Sequence, residues 1–376
     1  MRLKRISLAI VVLSLIASYS FRAAYKAEVG NTDRVSSDQN AYISYARDIE
    51  KEGFFTKGDG NRMPLYPWVQ SLFYDPQLGK NELFRRGKFV NIGLSLLLLA
   101  AIGAVTKRRL TWLPWASLML IIAFTVFIFK APYYQPELLF YTLNLGAYLL
   151  MLELLRRPDW RMAIAAGIVL ALAQLTKASE LPTVVLFVFW GCVGAIVALR
   201  RSRAQQGAVS PESGWRVVVR YLLPIMLTIV VFLGVISPQL VQNKRVFGHY
   251  WYNVNSTFYM WYDSWEEAKE GTRAHGDRRG WPDMPADQIP SPLKYLREHT
   301  PRQIAERLSS GLVYLEGATR HSYGYYKYVV IYALAMLGLL ASSGTRRRAY
   351  LRERAVAALF WASSLAMWAL LCAWYV

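Results

Sequence analysis

Residues 89–105 read FVNIGLSLLLLAAIGAV, an uncharged run, and Lys107-Arg108-Arg109 follow almost at once. A run of this length crosses the hydrocarbon core of a bilayer as a helix, which takes roughly 17–25 apolar residues. A basic cluster straight after it marks the side on which the helix ends. Further apolar runs occupy 7–21, 112–129, 137–155, 162–175, 181–199, 221–241, 326–341 and 355–374, of which 7–21 and 162–175 are among the shortest. The chain of 376 residues is 54% hydrophobic and 18% charged, whereas a soluble domain carries about 25% charged residues. The expected fold is an all-α polytopic membrane protein. It has about nine transmembrane helices, interfacial helices and a partly helical outer loop region, in one membrane domain over 1–376.

Nine spans put the two termini on opposite sides. Segments 1–6, 106–111, 156–161, 200–220 and 342–354 then share one side and hold 19 Lys/Arg against Asp159, Glu212 and Glu353. That side carries a net +16 of the chain's +19. Short basic loops stay in the cytoplasm, so the N-terminus is expected inside and the C-terminus outside, in an inner (plasma) membrane. Nucleic-acid binding needs one basic face on a folded domain; these charges are dispersed between spans, so no nucleic-acid partner is expected. Membrane lipids are expected partners.

The outer side receives two long segments, 22–88 and 242–325. MRLKR before the first apolar run resembles a signal peptide, but no small-x-small cleavage site precedes Phe21-Arg22, so an uncleaved anchor is expected. Cys192 and Cys372 lie inside apolar runs and are expected as buried packing residues without a disulfide.

In the first outer segment, Ser37 is expected to cap a helix from Asp38 to about Glu52 that stops at Gly53. Ala41, Tyr42, Tyr45, Ala46 and Ile49 share one face, the pattern of a helix lying at the membrane interface. Asp38 in its first turn is favoured as a carboxylate by the helix dipole. Gly58-Asp59-Gly60 then leads into Asn61-Arg62-Met63-Pro64-Leu65-Tyr66-Pro67. The second outer segment opens with aromatics, among them Tyr250, Trp251, Tyr252, Phe258, Tyr259, Trp261 and Tyr262, which read as interface anchors or stacking platforms. Ser291-Pro292 and Thr300-Pro301 read as helix starts, the latter with a capping box to Gln303.

No Gly-rich phosphate loop, His/Cys cluster or Ser/His/Asp arrangement is visible on the outer side. What remains is Asp38 at a helix start and Arg62 in an Arg-x-Pro turn. Asp38-Gln39-Asn40-Ala41-Tyr42-Ile43-Ser44-Tyr45-Ala46, followed by Arg62-Met63-Pro64-Leu65-Tyr66-Pro67, resembles the first outer loop of the GT-C glycosyltransferases. The closer likeness is to the protein-mannosyltransferase and aminoarabinose-transferase branch. Pro136-Glu137 at the head of the fourth span, Leu175-Thr176-Lys177 ending the fifth, and Pro238 to Gly248 are softer matches, and the likeness covers roughly 1–250.

The resemblance implies transfer of a sugar from a polyprenyl-phosphate donor to a lipid, glycan or protein acceptor on the outer face, with inversion. Asp38 would be the base. Arg62, with Lys177 second, would meet the donor phosphate, and Tyr42 and Glu137 would join the substrate site. No cofactor is assigned with certainty. The family's second acidic position is Gln39 here, which removes one ligand of a divalent cation (Mg or Mn) and makes Asp33 the rival carboxylate. The competing reading is a lipid-linked sugar flippase, polymerase or transporter, in which ionisable residues sit mid-span and the halves repeat. Here the mid-spans are nearly free of charge and the halves differ.

Overall fold

The structure is a computed structural model that describes residues 2–56, 58, 60–206, 211–275, 285, 287–321, 331, 334, 335, 338, 341, 342 and 344–375. Among these residues every regular element is a helix. In chain order they are α1 (Arg2–Tyr25, extended by a π turn Lys26–Gly30), α2 (Gln39–Glu52), α3 (Leu65–Ser71), α4 (Lys80–Lys107) and α5 (Trp112–Ile121, carried on by a π stretch Ile122–Phe127 and by Ile128–Lys130). They continue with α6 (Glu137–Arg156), α7 (Trp160–Thr176), α8 (Leu181–Gln206), α9 (Pro211–Phe247), α10 (Val254–Thr257), α11 (Trp265–His275), α12 (Pro292–Glu298), α13 (Pro301–His321) and α14 (Gly344–Tyr375).

Among the described residues, seven helical stretches are long and apolar enough to cross a membrane: Ile10–Gly30, Lys80–Lys107, Trp112–Lys130, Glu137–Arg156, Leu181–Ser202, Gly214–Phe247 and Ala355–Tyr375. By length and apolarity they make the chain a multi-pass membrane protein. The expected span 162–175 is a helix, Trp160–Thr176, of 17 residues and shorter than the seven. Most of the expected span 326–341 lies outside the described residues. Helices run past the apolar windows. Helix α4 begins nine residues before residue 89, because Gly79 N donates to Glu82 Oε2 at 2.9 Å and the backbone ladder starts there. Hydropathy marks where the bilayer begins, not where helical hydrogen bonding begins.

The chain divides into two compact units, residues 1–145 with 175–178 and residues 146–174 with 179–376. In the first unit, α2 packs on α3 and α4. Helix α4 carries a stripe of buried polar residues, Lys88, Asn91 and Ser95. Lys88 is 4% exposed; its ammonium donates to Ala27 O and, at 2.7 Å, to Asn31 O, and lies 4.4 Å from the Phe84 ring centroid. Asn91 Nδ2 donates to Ala131 O (3.1 Å) and Tyr133 O (2.8 Å), and Ser95 Oγ accepts from Tyr19 (2.8 Å). The Lys88 and Asn91 contacts satisfy carbonyls where α1 and α5 end, groups that a helix end leaves without an intrahelical partner.

In the second unit, α8 packs against α9 and α14, and α14 against α13. Gly311 on α13 is buried where any Cβ would collide with the backbone of Ala373, so the two helices approach closely through it. Ser291 accepts from Lys294 N (3.2 Å), and Thr300 and Gln303 close the expected capping box. Tyr252 and Phe258, read from sequence as anchors, instead form a buried cluster with Phe247 and Val254. Cys192 and Cys372 form no disulfide, and both are exposed on their helices rather than buried.

The same unit holds a polar cluster around His299. Its Nε2 lies 3.1 Å from Asp263 Oδ2 and its Nδ1 2.9 Å from Tyr295 O. Both partners only accept, so both ring nitrogens donate and the imidazole is charged. Tyr295 OH donates to Asp263 Oδ1 (2.9 Å), and Arg307 from α13 stands 3.8 Å from the same oxygen. Desolvation opposes the imidazolium, but the Tyr295 carbonyl, the Asp263 carboxylate and the nearby Glu298 charge outweigh it and raise His299 above its ordinary 6.5. For Asp263, desolvation is outweighed by the Tyr295 and His299 hydrogen bonds and the His299 and Arg307 charges, which hold it below 3.8. A raised histidine stabilises fully below its unfolded pKa and loses that contribution as pH rises through its folded value. A depressed aspartate stabilises above its unfolded pKa and loses that contribution in acid.

Two outcomes follow. Raising the pH from about 6 to about 9 should lower the amide protection factors, taken against the intrinsic exchange rate at each pH, across 259–263 and 292–299, and His299→Gln should remove that change; wild-type protection factors that stay constant over that range would dissolve the cluster's role. Gly87→Ala should lower the thermal midpoint in detergent, because a Cβ at Gly87 strikes the Tyr134 ring. Overpacking of this kind costs about 1–3 kcal/mol.

Candidate functional site

The first unit brings Asp38, Arg62, Tyr42, Glu137 and Lys177 together. Ser37 and Asp38 precede α2 with φ of 57° and 64°. Two successive non-glycine residues in the left-handed region store strain, about 1–2 kcal/mol each. Ser37 makes no side-chain cap bond to α2, and Asp38, itself the N-cap, makes none either. The cap expected from sequence is absent: Ser37 stands in the left-handed region one residue before the N-cap, and its Oγ lies 3.3 Å from Ser36 Oγ. The Asp38 carboxylate instead meets Arg62 Nη2 at 2.8 Å. Asp38 is 67% exposed and Arg62 13%, so the pair opens outward from the carboxylate side.

The turn is clamped from behind. Gln39 is 0% exposed. Its Oε1 accepts from Asn31 Nδ2 (2.8 Å) and Tyr134 N (2.9 Å), and its Nε2 donates to Asn31 Oδ1 (2.9 Å), Ser36 O (3.1 Å) and Asp33 O (3.2 Å). Asn31 also reaches Pro132 O (2.8 Å), and Gln135 Nε2 reaches Ser37 O (2.8 Å). Segments 31–38 and 132–135 are thereby laced together around the start of α2. The buried face of α2 is Gln39, Ile43, Tyr45, Ala46 and Ile49, with Ala41 and Tyr42 only half-buried. Gly53 ends the helix as expected, at φ 89°.

An aromatic ladder runs from this turn toward α6. The Arg62 guanidinium lies 5.4 Å from the Tyr42 ring centroid, Tyr42 meets Tyr66 edge-on at 5.6 Å, and Tyr66 meets Tyr134 at 5.9 Å. Burial first, then the charges of neighbours including Glu137, push the Tyr66 phenol well above its ordinary 10. Tyr66 is therefore a neutral wall rather than a base. At the far end Lys177 Nζ stands 3.9 Å from Glu137 Oε1, while Glu137 Oε2 is buried without a hydrogen-bond partner. Pro136-Glu137 does open α6 and Lys177 does follow α7, as the sequence suggested.

Asp33 stays apart from this assembly: it is exposed, and its Oδ1 accepts from Val35 N at 2.9 Å in a local turn. Among the described residues no three His, Cys, Asp or Glu side chains come together. With Gln39 saturated, Asp33 turned to its own backbone and Asp38 paired to Arg62, these residues do not fit a resident divalent cation. Sequence reading passed over Lys88, and also Glu180 in the second unit. Glu180 is fully buried, and burial raises its pKa to about 7, with only the nearby Thr183 hydroxyl opposing. The pattern Lys177-Ala-Ser-Glu180 offered no apolar signal of that burial.

Comparison with protein families, curated proteins and solved structures finds no match to this chain.

The clamp makes an outcome of its own. Gln39→Glu, which writes in the acidic residue of the resembled motif, should destabilise the first unit by on the order of 3 kcal/mol. The carboxylate cannot donate to Asn31, Ser36 or Asp33, and it is buried. A thermal midpoint in detergent equal to wild type would show that Gln39 does not hold the turn.

Proposed function

We propose that the chain is a membrane glycosyltransferase of the GT-C kind, moving a sugar from a polyprenyl-phosphate donor to a lipid, glycan or protein acceptor on the extracytoplasmic face. The observation that carries this reading is the Asp38–Arg62 ion pair, held at 2.8 Å on a strained, clamped turn beside an aromatic wall. Strain of this kind collects at functional sites, and a purely structural ion pair needs no left-handed backbone. Under this reading the chain has nine spans, the basic loops and N-terminus are cytoplasmic, and the C-terminus and long outer segments are not.

The chemistry follows from the pair. Before the donor arrives, Arg62 neutralises Asp38. A sugar-linked phosphate competes for the guanidinium, which can grip it bidentately, and the Asp38 carboxylate is released toward the acceptor. The acceptor hydroxyl gives its proton to Asp38 and its oxygen bonds to the anomeric carbon. The bond from that carbon to the phosphate oxygen breaks, and the polyprenyl phosphate leaves with the electron pair. Arg62 takes up the growing charge on the leaving phosphate, with Lys177 and Glu137 further along the same wall.

The test supplies radiolabelled polyprenyl-phosphate sugars to membranes holding the protein and follows label into product. Asp38→Asn keeps size and folding but cannot take the proton, so transfer should fall about 10²–10⁴-fold. Arg62→Lys should lose part of the rate and Arg62→Ala much more, because only the guanidinium forks onto phosphate. A normally abundant Asp38→Asn protein that transfers at the wild-type rate would remove Asp38 as base.

A further inference from the structure

The first unit carries a cavity of about 630 Å³ between α1, α4 and α5, open on one side and within the range of about 300–1,000 Å³ of ordinary ligand sites. Val12 and Leu15 of α1, Leu99 and Ala104 of α4, and Met119 and Leu120 of α5 are among the side chains that line it. Almost nothing in the wall hydrogen-bonds: the Tyr19 hydroxyl is already given to Ser95 at 2.8 Å, and Trp115 Nε1 to Gly103 O at 2.9 Å. A polar ligand would leave its groups unsatisfied there, whereas a hydrocarbon chain would not.

One end of the cavity is charged. Lys107 lines it, with its ammonium 4.6 Å from the Trp112 ring centroid and 4.8 Å from that of Trp115. The two indoles lie 5.3 Å apart. Arg108 and Arg109 follow, and all three basic residues are exposed. Paired tryptophans under a cation, beside two more cations, suit the headgroup level of a bilayer, where such residues collect.

The position separates this cavity from the site around Asp38. Helix α4 touches Tyr134 through Gly87 and ends at Lys107. Twenty residues of continuous helix span about 30 Å, which is also about the thickness of the hydrocarbon core. The charged mouth therefore belongs to the leaflet opposite Arg62, and a lipid whose phosphate meets Arg62 does not present a phosphate at Lys107.

We propose that this cavity binds an anionic phospholipid of the leaflet on the Lys107 side, with one acyl chain in the cavity and its phosphate against Lys107, Arg108 and Arg109. The basic loops stand on the cytoplasmic side under the positive-inside rule, and that leaflet is the anionic one.

The full-length protein is reconstituted into phosphatidylcholine vesicles containing increasing fractions of phosphatidylglycerol with dibrominated chains, or of dibrominated phosphatidylcholine. Quenching of tryptophan fluorescence reports chain entry, and the part that Trp115→Phe removes reports the cavity. Brominated phosphatidylglycerol should reach half-maximal quenching at a mole fraction at least about fivefold below brominated phosphatidylcholine, since each nearby cation contributes roughly that factor. Lys107→Ala should raise the phosphatidylglycerol midpoint about fivefold, and replacing all three basic residues by Ala should abolish the preference. Ala100→Phe, which fills the cavity, should remove the Trp115 part of the quenching while leaving the cations in place. Equal midpoints for the two lipids on the wild-type protein would overturn the proposal without any variant. So would a preference that survives the triple replacement, or displacement of the brominated lipid by a polyprenyl phosphate at lower mole fraction.

Discussion

The side-chain amide of Gln39 is the interaction on which the first unit depends. It is buried completely, and each of its two ends is engaged by different pieces of chain: Asn31 before the turn, Ser36 and Asp33 within it, and Tyr134 from a segment 95 positions on. Backbone polar groups withdrawn from water must find partners, and leaving one unpaired costs about 1–3 kcal/mol. One primary amide meets several such needs at once, because it both donates and accepts. Neither a carboxylate nor an apolar residue of the same size can. The same amide is what allows Ser37 and Asp38 to stay in the left-handed region, since the bonds to Ser36 O and Asp33 O hold the turn against relaxation.

Helix α4 answers the same demand at membrane depth. Where α1 and α5 end, their carbonyls face a protein interior rather than water, and Lys88 and Asn91 supply the donors. A buried ammonium is tolerable only when its three protons are placed, here on two carbonyls and the face of Phe84. The helix ends so fixed are the ones that carry Asn31 and Tyr133-Tyr134 toward the Asp38 turn. Thus the polar stripe of α4 and the Gln39 amide are consecutive parts of one support.

What was legible in the sequence followed from signals that act over short range. Long uncharged runs announce helices, Ser291-Pro292 and Thr300-Pro301 announce their starts, and Gly53 announces a stop. Even the neighbourhood of Asp38 and Arg62 could be read as a pair of motifs, though not their 2.8 Å contact. The missed features depend on partners far along the chain. Lys88 looks like the last polar residue of an outer segment until Ala27 and Asn31 are seen to surround it. Ser37 and Asp38 look like a helix cap because no glycine betrays a left-handed turn. Gln39 looks like the loss of a carboxylate, whereas its N–H groups are what the turn requires.

The ion pair between Asp38 and Arg62 has a consequence that follows from exposure. The pair is open to water only on the Asp38 side, 67% exposed against 13% for Arg62, and a carboxylate so exposed gains little from its partner, commonly under about 1 kcal/mol. Holding them together on backbone that stores more strain than that is unfavourable as a stability device. Under the proposed transfer the pair is one made to be parted: a bidentate phosphate takes the guanidinium, and the carboxylate it displaces is already exposed. The clamp from Gln39 then has a second role. Under that proposal it keeps Asp38 from relaxing into a helix cap once a phosphate holds Arg62, so that the carboxylate is left for the acceptor rather than for its own backbone.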